Sequence, residues 1–363
     1  MGFAGLQSSW FGSGTILVPF RRMQSPILFF RTRTLLPVSC GRGVDLFFVL
    51  SGFLICGIIL DNFEKQKSLS TFFLRRAVRI LPLYVLLVIS YVACSLLLNN
   101  DDFAWFFGTS IPLWSYATFT QNVLTGFHGN YGGNFLAVSW SLAIEEQFYL
   151  VAPLTICWVG RRRWLQAVPA AILLALTLRL AVPSFASYVN MPFRMDSLLV
   201  GGLIAAALRN TNIATIMLKN RSSLFAALAV CVLMMAVLTL NRSAGKMEYT
   251  LFAIFYGLLL LFCVLYQNSA WTMIFRHRLL CFFGSIAFGV YMYHQAINGW
   301  YHGAVRGQPP SLESTEGVIL TLSASLTTLA VSFVSFHWYE KPFVRYGRRF
   351  VYGPVKTQTT VCV

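Results

Sequence analysis

Two adjacent carboxylates, Glu145 and Glu146, stand in the run SWSLAIEEQFYL, where most neighbours are apolar or aromatic. In a helix Ser141, Glu145 and Tyr149 fall at i, i+4 and i+8 and share one face. A half-buried carboxylate with hydroxyls on the same face can serve as a general base or acid. The structural alternative is a helix–helix hydrogen bond. A second group is basic. FLRRAVRILPLY carries Arg75, Arg76 and Arg79, and the last two lie three apart, on one helix face. Guanidinium forks match phosphate oxygens, so these arginines read as a clamp for an anionic ligand or as anchors at a membrane surface.

Further polar residues interrupt apolar stretches, and charges in such places are functional candidates by default. Asp45 opens GVDLFFVLSGF, which also holds the Ser51-Gly52 pair. Arg194 and Asp196 fall in PFRMD, His294 closes FGVYMYH, and Arg179 lies within an apolar run. Each has a structural reading beside the chemical one: a helix N-terminal carboxylate for Asp45, a packing notch for Ser51-Gly52, a satisfied ring for His294. The sequence leaves Arg179 without a partner. HWYEKPF, ending at Phe343, reads as the end of a helix with charged anchors. Eight cysteines show no C-x-x-C spacing and no Cys/His cluster, which gives no metal site.

The elements that must hold these residues are membrane helices. The chain has 363 residues, 57% hydrophobic and only 11% charged, against roughly 25% charged in soluble domains. Too little charge is present for a soluble shell, and too much apolar content for disorder. Nine candidate spans follow, at 44–60, 80–98, 140–159, 165–182, 195–208, 223–240, 250–267, 280–298 and 317–337, so the fold class is an all-α polytopic membrane protein. The aromatic stretch 103–120 reads as interfacial. Lys and Arg alternate between the connections, 18 on one side against 4 on the other. The positive-inside rule then puts the C-terminus and the 61–79 connection in the cytoplasm and 99–139 outside. The net charge of +16 thus reflects topology, and no soluble domain exists to present it to nucleic acid.

Residues 1–43 break the alternation. They carry Arg21, Arg22, Arg31, Arg33 and Arg42, no acid, three prolines and no span-length apolar run. Three readings compete: a first spanning helix lost through a replaced or mistranslated start, a targeting segment, and an exposed tail. The organisation is an atypical basic segment (1–43), a membrane domain (44–345) and a cytoplasmic tail (346–363).

Six stretches in order resemble the acyltransferase-3 family of integral membrane acyltransferases: GVDLFFVLSGFLI, FLRRAVRILPLY, SWSLAIEEQFYL, PFRMDSLLVGG, the glycine-aromatic run ending at His294, and HWYEKPF. The resemblance runs from Gly43 to about Pro342. It implies roughly ten spanning helices in a bacterial plasma membrane. It also implies transfer of an acyl group, often acetyl, from cytoplasmic acyl-CoA to a hydroxyl of an extracytoplasmic glycan or glycolipid, with no bound cofactor. Arg76 and Arg79, with Arg75 beside them, match the arginines that serve the donor. Glu145 or Glu146 matches the membrane carboxylate near the acceptor, where it would orient or deprotonate the sugar hydroxyl. The candidate catalytic set is Glu145, Glu146, His294 and Asp45. The candidate substrate-binding set adds Ser51, Ser141, Tyr149, Arg194 and Asp196 to the three arginines.

One departure stands out. Family members carry Arg, ten residues and then a catalytic His just before the GVDLFF segment. Here the positions eleven before the five histidines are Ala117, Tyr266, Phe283, Tyr291 and Leu326, so that pair is absent. This agrees with a lost first helix and implies impaired activity, since removal of a general base costs about 10²–10⁴-fold. The other class of function is a non-catalytic membrane carrier or glycan-lipid binder built on the same fold.

Overall fold

The structure, a computed structural model, describes residues 43–354 except 63, 99–102, 109, 183 and 241–244. The expectations for the basic segment, including the lost helix, fall almost wholly on residues 1–42 and so lie outside the described residues. In a bilayer, backbone groups must be satisfied within the protein, and helices do this segment by segment. The described residues hold helices and no strand. In order these are α1 (Gly43–Asn62), α2 (Ser68–Leu97), the short α3 (Ala104–Phe107), α4 (Leu113–Ala117) and α5 (Gln121–His128), then α6 (Ser139–Val159) and α7 (Arg161–Ala181). They continue with α8 (Ala186–Val189), α9 (Met191–Leu208), α10 (Thr211–Lys219), α11 (Arg221–Leu240), α12 (Glu248–Leu265), α13 (Arg278–Arg306), α14 (Thr315–Val334) and α15 (Lys341–Gly347). Among the described residues nine helical runs are long and apolar enough to cross a membrane, each on an expected span. The chain is a multi-pass all-α membrane protein.

The centre of the bundle is the crossing of α1 and α9, flanked by α6, α7 and α12. Glycine makes it possible. A Cβ at Gly52 would collide with the Leu198 carbonyl, and one at Gly201 with the Val49 carbonyl. Small residues let two membrane helices meet backbone to backbone, where dispersion replaces the hydrophobic drive that lipid cannot supply. The Ser51-Gly52 notch is therefore real packing, and it fixes where Ser51 stands. On the far side, α13 packs on α14, and α15 packs on α2.

Three boundaries differ from the sequence reading in ways that matter. The second span begins at Ser68, so Arg75, Arg76 and Arg79 stand on α2 itself rather than in the preceding connection. HWYEKPF does not end a helix: a π-helical turn, Ser335–Glu340, carries α14 directly into α15, with Pro342 in its first turn, where the missing N–H costs nothing. The short fifth span gains length from α8 and runs Ala186–Leu208.

Aromatic residues of 103–120 are drawn into the bundle: Phe106, Phe107 and Tyr116 are buried, and the Phe106 ring fills the space a side chain at Gly299 would need. Trp114 remains exposed, as an interfacial ring would be. Polar side chains lock this cap over α6. Gln147 Nε2 donates to the Phe119 carbonyl and to Asn122 Oδ1, both at 2.8 Å, and Tyr84 OH donates to the Tyr116 carbonyl at 2.8 Å.

Candidate active site

Near the middle of the bundle α1 and α6 bring three of the expected residues together. Ser51 Oγ donates to Glu145 Oε1 at 2.7 Å. The Tyr149 hydroxyl lies 3.0 Å from Ser51 Oγ and 3.1 Å from Glu145 Oε2, and donates to one or the other. The i, i+4 spacing on α6 puts Glu145 and Tyr149 on one face, and the Gly52 contact holds α1 behind them. The Arg76 guanidinium lies 5.3 Å from the centre of the Tyr149 ring, a cation–π contact that joins α2 to the cluster. The charges of Arg76 and Arg79 both act on Glu145. Ser141, one turn before Glu145, hydrogen-bonds the Tyr291 hydroxyl of α13 instead. Glu146 is half-buried, with Oε1 lacking a hydrogen-bond partner. Arg76 and Glu145 are the charges acting on it.

Arg76 also faces a second space. A cavity of about 320 Å³ opens between α1, α2 and the C-terminal segment, lined by Asn62, Arg75, Arg76, Arg79, Arg348 and Tyr352, among others. Four guanidiniums around one cavity suit a polyanion such as a phosphate chain. Residues 348–354 roof it. Arg75 Nε donates to the Phe350 carbonyl at 2.6 Å, Gln66 N to Pro354 O at 2.9 Å and Gly353 N to Gln66 O at 3.2 Å. The Tyr352 ring lies 5.0 Å from the Arg75 guanidinium. Half-burial raises the Tyr352 phenol above its ordinary range, against the opposing pull of Arg75 and Arg76, so the ring stays neutral. Residues 348–354 of the expected tail are thus packed structure. On the other side of Arg79, Glu340 is buried in the π-helical turn, and accepts from Ser335 Oγ at 3.1 Å.

Four expected site residues are placed elsewhere. Asp45, about 9 Å from Ser51 along α1 at 1.5 Å per residue, pairs with Arg194 at 2.6 Å, with both side chains buried. Aromatic rings box the guanidinium, with Tyr249 at 4.1 Å and Tyr188 at 5.5 Å. Asp196 takes both arms of Arg179, at 3.0 and 2.8 Å, and accepts from Thr250 at 2.6 Å. Arg179 thereby gains the partner that the sequence did not disclose. Asp45, Arg194 and Asp196 are buried, and each is paired with a buried opposite charge, Asp45 with Arg194 and Asp196 with Arg179, as charges in an apolar bundle must be. His294 is exposed, with Nδ1 2.7 Å from the Tyr291 carbonyl of its own helix. It does not join the Glu145 cluster.

Sequence reasoning missed Tyr291, Arg348, Tyr352, Asn62 and Glu340. Tyr291 and Glu340 belong to stretches already singled out, and only a wider reading of those motifs was needed. No local signal marks Tyr352 or Asn62.

Comparison with known proteins identifies the family. The acyltransferase-3 model, described as an acyltransferase domain, matches residues 8–337. The chain is 27% identical over 337 residues to peptidoglycan O-acetyltransferase OatA of Listeria monocytogenes, covering 84% of this chain and 51% of that protein. It is 27% identical over 331 residues to a Bacillus subtilis protein named "Putative peptidoglycan O-acetyltransferase YrhL", covering 85% and 51%. A Staphylococcus aureus protein named "Putative O-acetyltransferase SACOL0978" is 25% identical over 335 residues, covering 84% and 53%. The chain spans about half the length of the curated relatives it matches. No solved structure matches it. A match across most of its length, on the helices that carry the Glu145 cluster and the arginines, establishes that the chain belongs to the acyltransferase-3 family.

Proposed function

We propose that the chain is a membrane O-acyltransferase that takes an acyl group, acetyl in the first instance, from acyl-CoA and passes it to a hydroxyl of a glycan or glycolipid on the other side of a bacterial plasma membrane. The observation that carries this reading is Arg76, which lines the arginine cavity and also lies against Tyr149 of the Glu145 cluster. A donor bound through its phosphates at Arg75, Arg79 and Arg348 would direct its acyl end past Arg76 toward Glu145. The excess of Lys and Arg on that face supports a cytoplasmic cavity, on the side where acyl-CoA is found. The three relatives are bacterial proteins named as O-acetyltransferases, two of them for peptidoglycan, which supports acetyl and a cell-wall glycan.

In this reading Glu145 is the general base that takes the proton of an attacking hydroxyl, and Tyr149 orients it. His294 and Asp45 take no part in the chemistry. The test is acyl transfer from radiolabelled acetyl-CoA to glycan fragments by the purified chain in micelles. Glu145→Gln is expected to lower the rate about 10²–10⁴-fold while donor binding is kept. Acceptor binding with no turnover in the unmodified chain would favour the non-catalytic carrier or binder.

A further inference from the structure

Ser51 departs from the commonest pattern among the hydroxyl residues of these helices; Thr250 departs too, but the Asp196 carboxylate it reaches is already held by both arms of Arg179. Serine and threonine in a membrane helix ordinarily return their hydroxyl to a carbonyl three or four residues back. Ser90 bonds Leu86 O at 2.8 Å, Ser325 bonds Thr321 O at 2.7 Å, Thr328 bonds Ala324 O at 2.7 Å and Ser285 bonds Phe282 O at 2.7 Å. The Ser51 hydroxyl gives its proton instead to Glu145 Oε1 at 2.7 Å, across a helix interface. The Tyr149 hydroxyl lies 3.0 Å from Ser51 Oγ and 3.1 Å from the other carboxylate oxygen, Glu145 Oε2. A hydroxyl bonded to a carboxylate that is itself oriented by a third group is the arrangement of an activated nucleophile. The backbone beneath is closely packed, because Gly52 seats α1 directly on the Leu198 carbonyl.

Position agrees. Ile58, seven residues along α1, lines the arginine cavity. That is about 10 Å at 1.5 Å per residue, a distance that the flexible arm of a thioester donor can bridge from phosphates held at the arginines.

We propose that Ser51 is a covalent way-station: it takes the acyl group from the thioester as a serine ester and yields it to the acceptor hydroxyl. This rests on the acyltransferase reading above. In the first half, Ser51 Oγ attacks the thioester carbonyl. The Oγ–C bond forms, the C–S bond breaks, and the hydroxyl proton moves to Glu145 and from there to the departing thiolate. In the second half an acceptor hydroxyl attacks the ester. Its proton goes to Glu145 and returns to Ser51 Oγ as the Oγ–C bond breaks. Ser51 and Glu145 are the catalytic residues, and Tyr149 is a positioning residue. A carried ester also separates the two substrates in time, so donor and acceptor need not meet in one site.

The test incubates the full chain in micelles with acetyl-CoA carrying a radiolabelled acetyl group, without acceptor, followed by denaturation and peptide mapping. One label per chain is expected on the peptide that contains Ser51, stable to neutral hydroxylamine and discharged when a glycan acceptor is added before denaturation. Ser51→Ala is expected to lose the label and to lower transfer at least about a hundredfold, as loss of a nucleophile should. Ser51→Cys keeps the volume and the fold, and its label should be a thioester, released by neutral hydroxylamine. Acetylation of the acceptor without any label on Ser51, or an unlabelled Ser51→Ala chain that transfers at more than half the normal rate, overturns the covalent step and leaves the acyltransferase reading intact. No thiol release, no label and no acetylated acceptor from the unmodified chain overturns both.

Discussion

Asp45→Asn tests whether the buried pairs are structure or chemistry. The Asp45 carboxylate lies 2.6 Å from Arg194 with no exposed surface on either partner. The change keeps the size and removes the negative charge, so the Arg194 guanidinium is left charged in an apolar box of Phe48, Tyr188 and Tyr249. Breaking a buried pair from one side costs about 3–5 kcal/mol, because the surviving charge keeps its desolvation penalty. At about 2–4 °C per kcal/mol, the melting temperature in micelles should fall by at least about 6 °C. Asp45→Asn combined with Arg194→Met should recover most of it, since the aromatic box accepts a thioether and no bare charge remains. The assay is thermal unfolding in micelles followed by intrinsic fluorescence, with acyl transfer measured well below the transition. A single variant that melts as the unmodified chain does while transfer collapses would refute this reasoning and return Asp45 to the catalytic set.

Other outcomes follow from particular contacts. Gly52→Leu and Gly201→Leu should each prevent the α1–α9 crossing, seen as loss of the monodisperse peak in size exclusion. Gly284→Ala, at an exposed helix position where a Cβ meets nothing within 4 Å, should leave that peak unchanged and raise stability by up to about 1 kcal/mol. Tyr352→Ala and Arg348→Ala should raise the KM for the donor several-fold with little change in kcat, and Tyr352→Phe should behave as the unmodified chain, because the phenol is neutral and its ring lies against Arg75. Arg76→Lys should lower kcat as well, since a point charge replaces the planar cation that spans cavity and cluster.

The arginine cavity extends past the matched family stretch. That stretch ends at residue 337, yet Arg348 and Tyr352 beyond it close the cavity wall. Their contribution depends on the helix running on through the π-helical turn to Gly347, which brings the chain back across α2. A turn with five-residue hydrogen bonds shifts the helix face, and here it buries Glu340 near Arg79.

The sequence by itself determined the material and the cast. Apolar runs long enough to cross a bilayer as helices identify the spans, because a helix satisfies its backbone groups within one segment of chain. The i, i+4 spacing of Ser141, Glu145 and Tyr149 defines one helix face, and the six ordered stretches identify the family. The spans and the helix face are local patterns, and the six stretches are local ones whose order runs along most of the chain. Which residues meet was decided by tertiary structure alone. Ser51 and Glu145 are 94 residues apart, and Asp45 and Arg194 are 149 apart. Packing of α1 on α6 brings Ser51 to Glu145, and the glycine crossing of α1 and α9 brings Asp45 to Arg194; the Ser51-Gly52 notch marks one side of that crossing but names no partner. Burial then divides the charges. In an apolar bundle each must find a partner, so Asp45, Asp196, Arg179 and Arg194 neutralise one another, while Glu145 is left to a serine, a tyrosine and the edge of the arginine cavity.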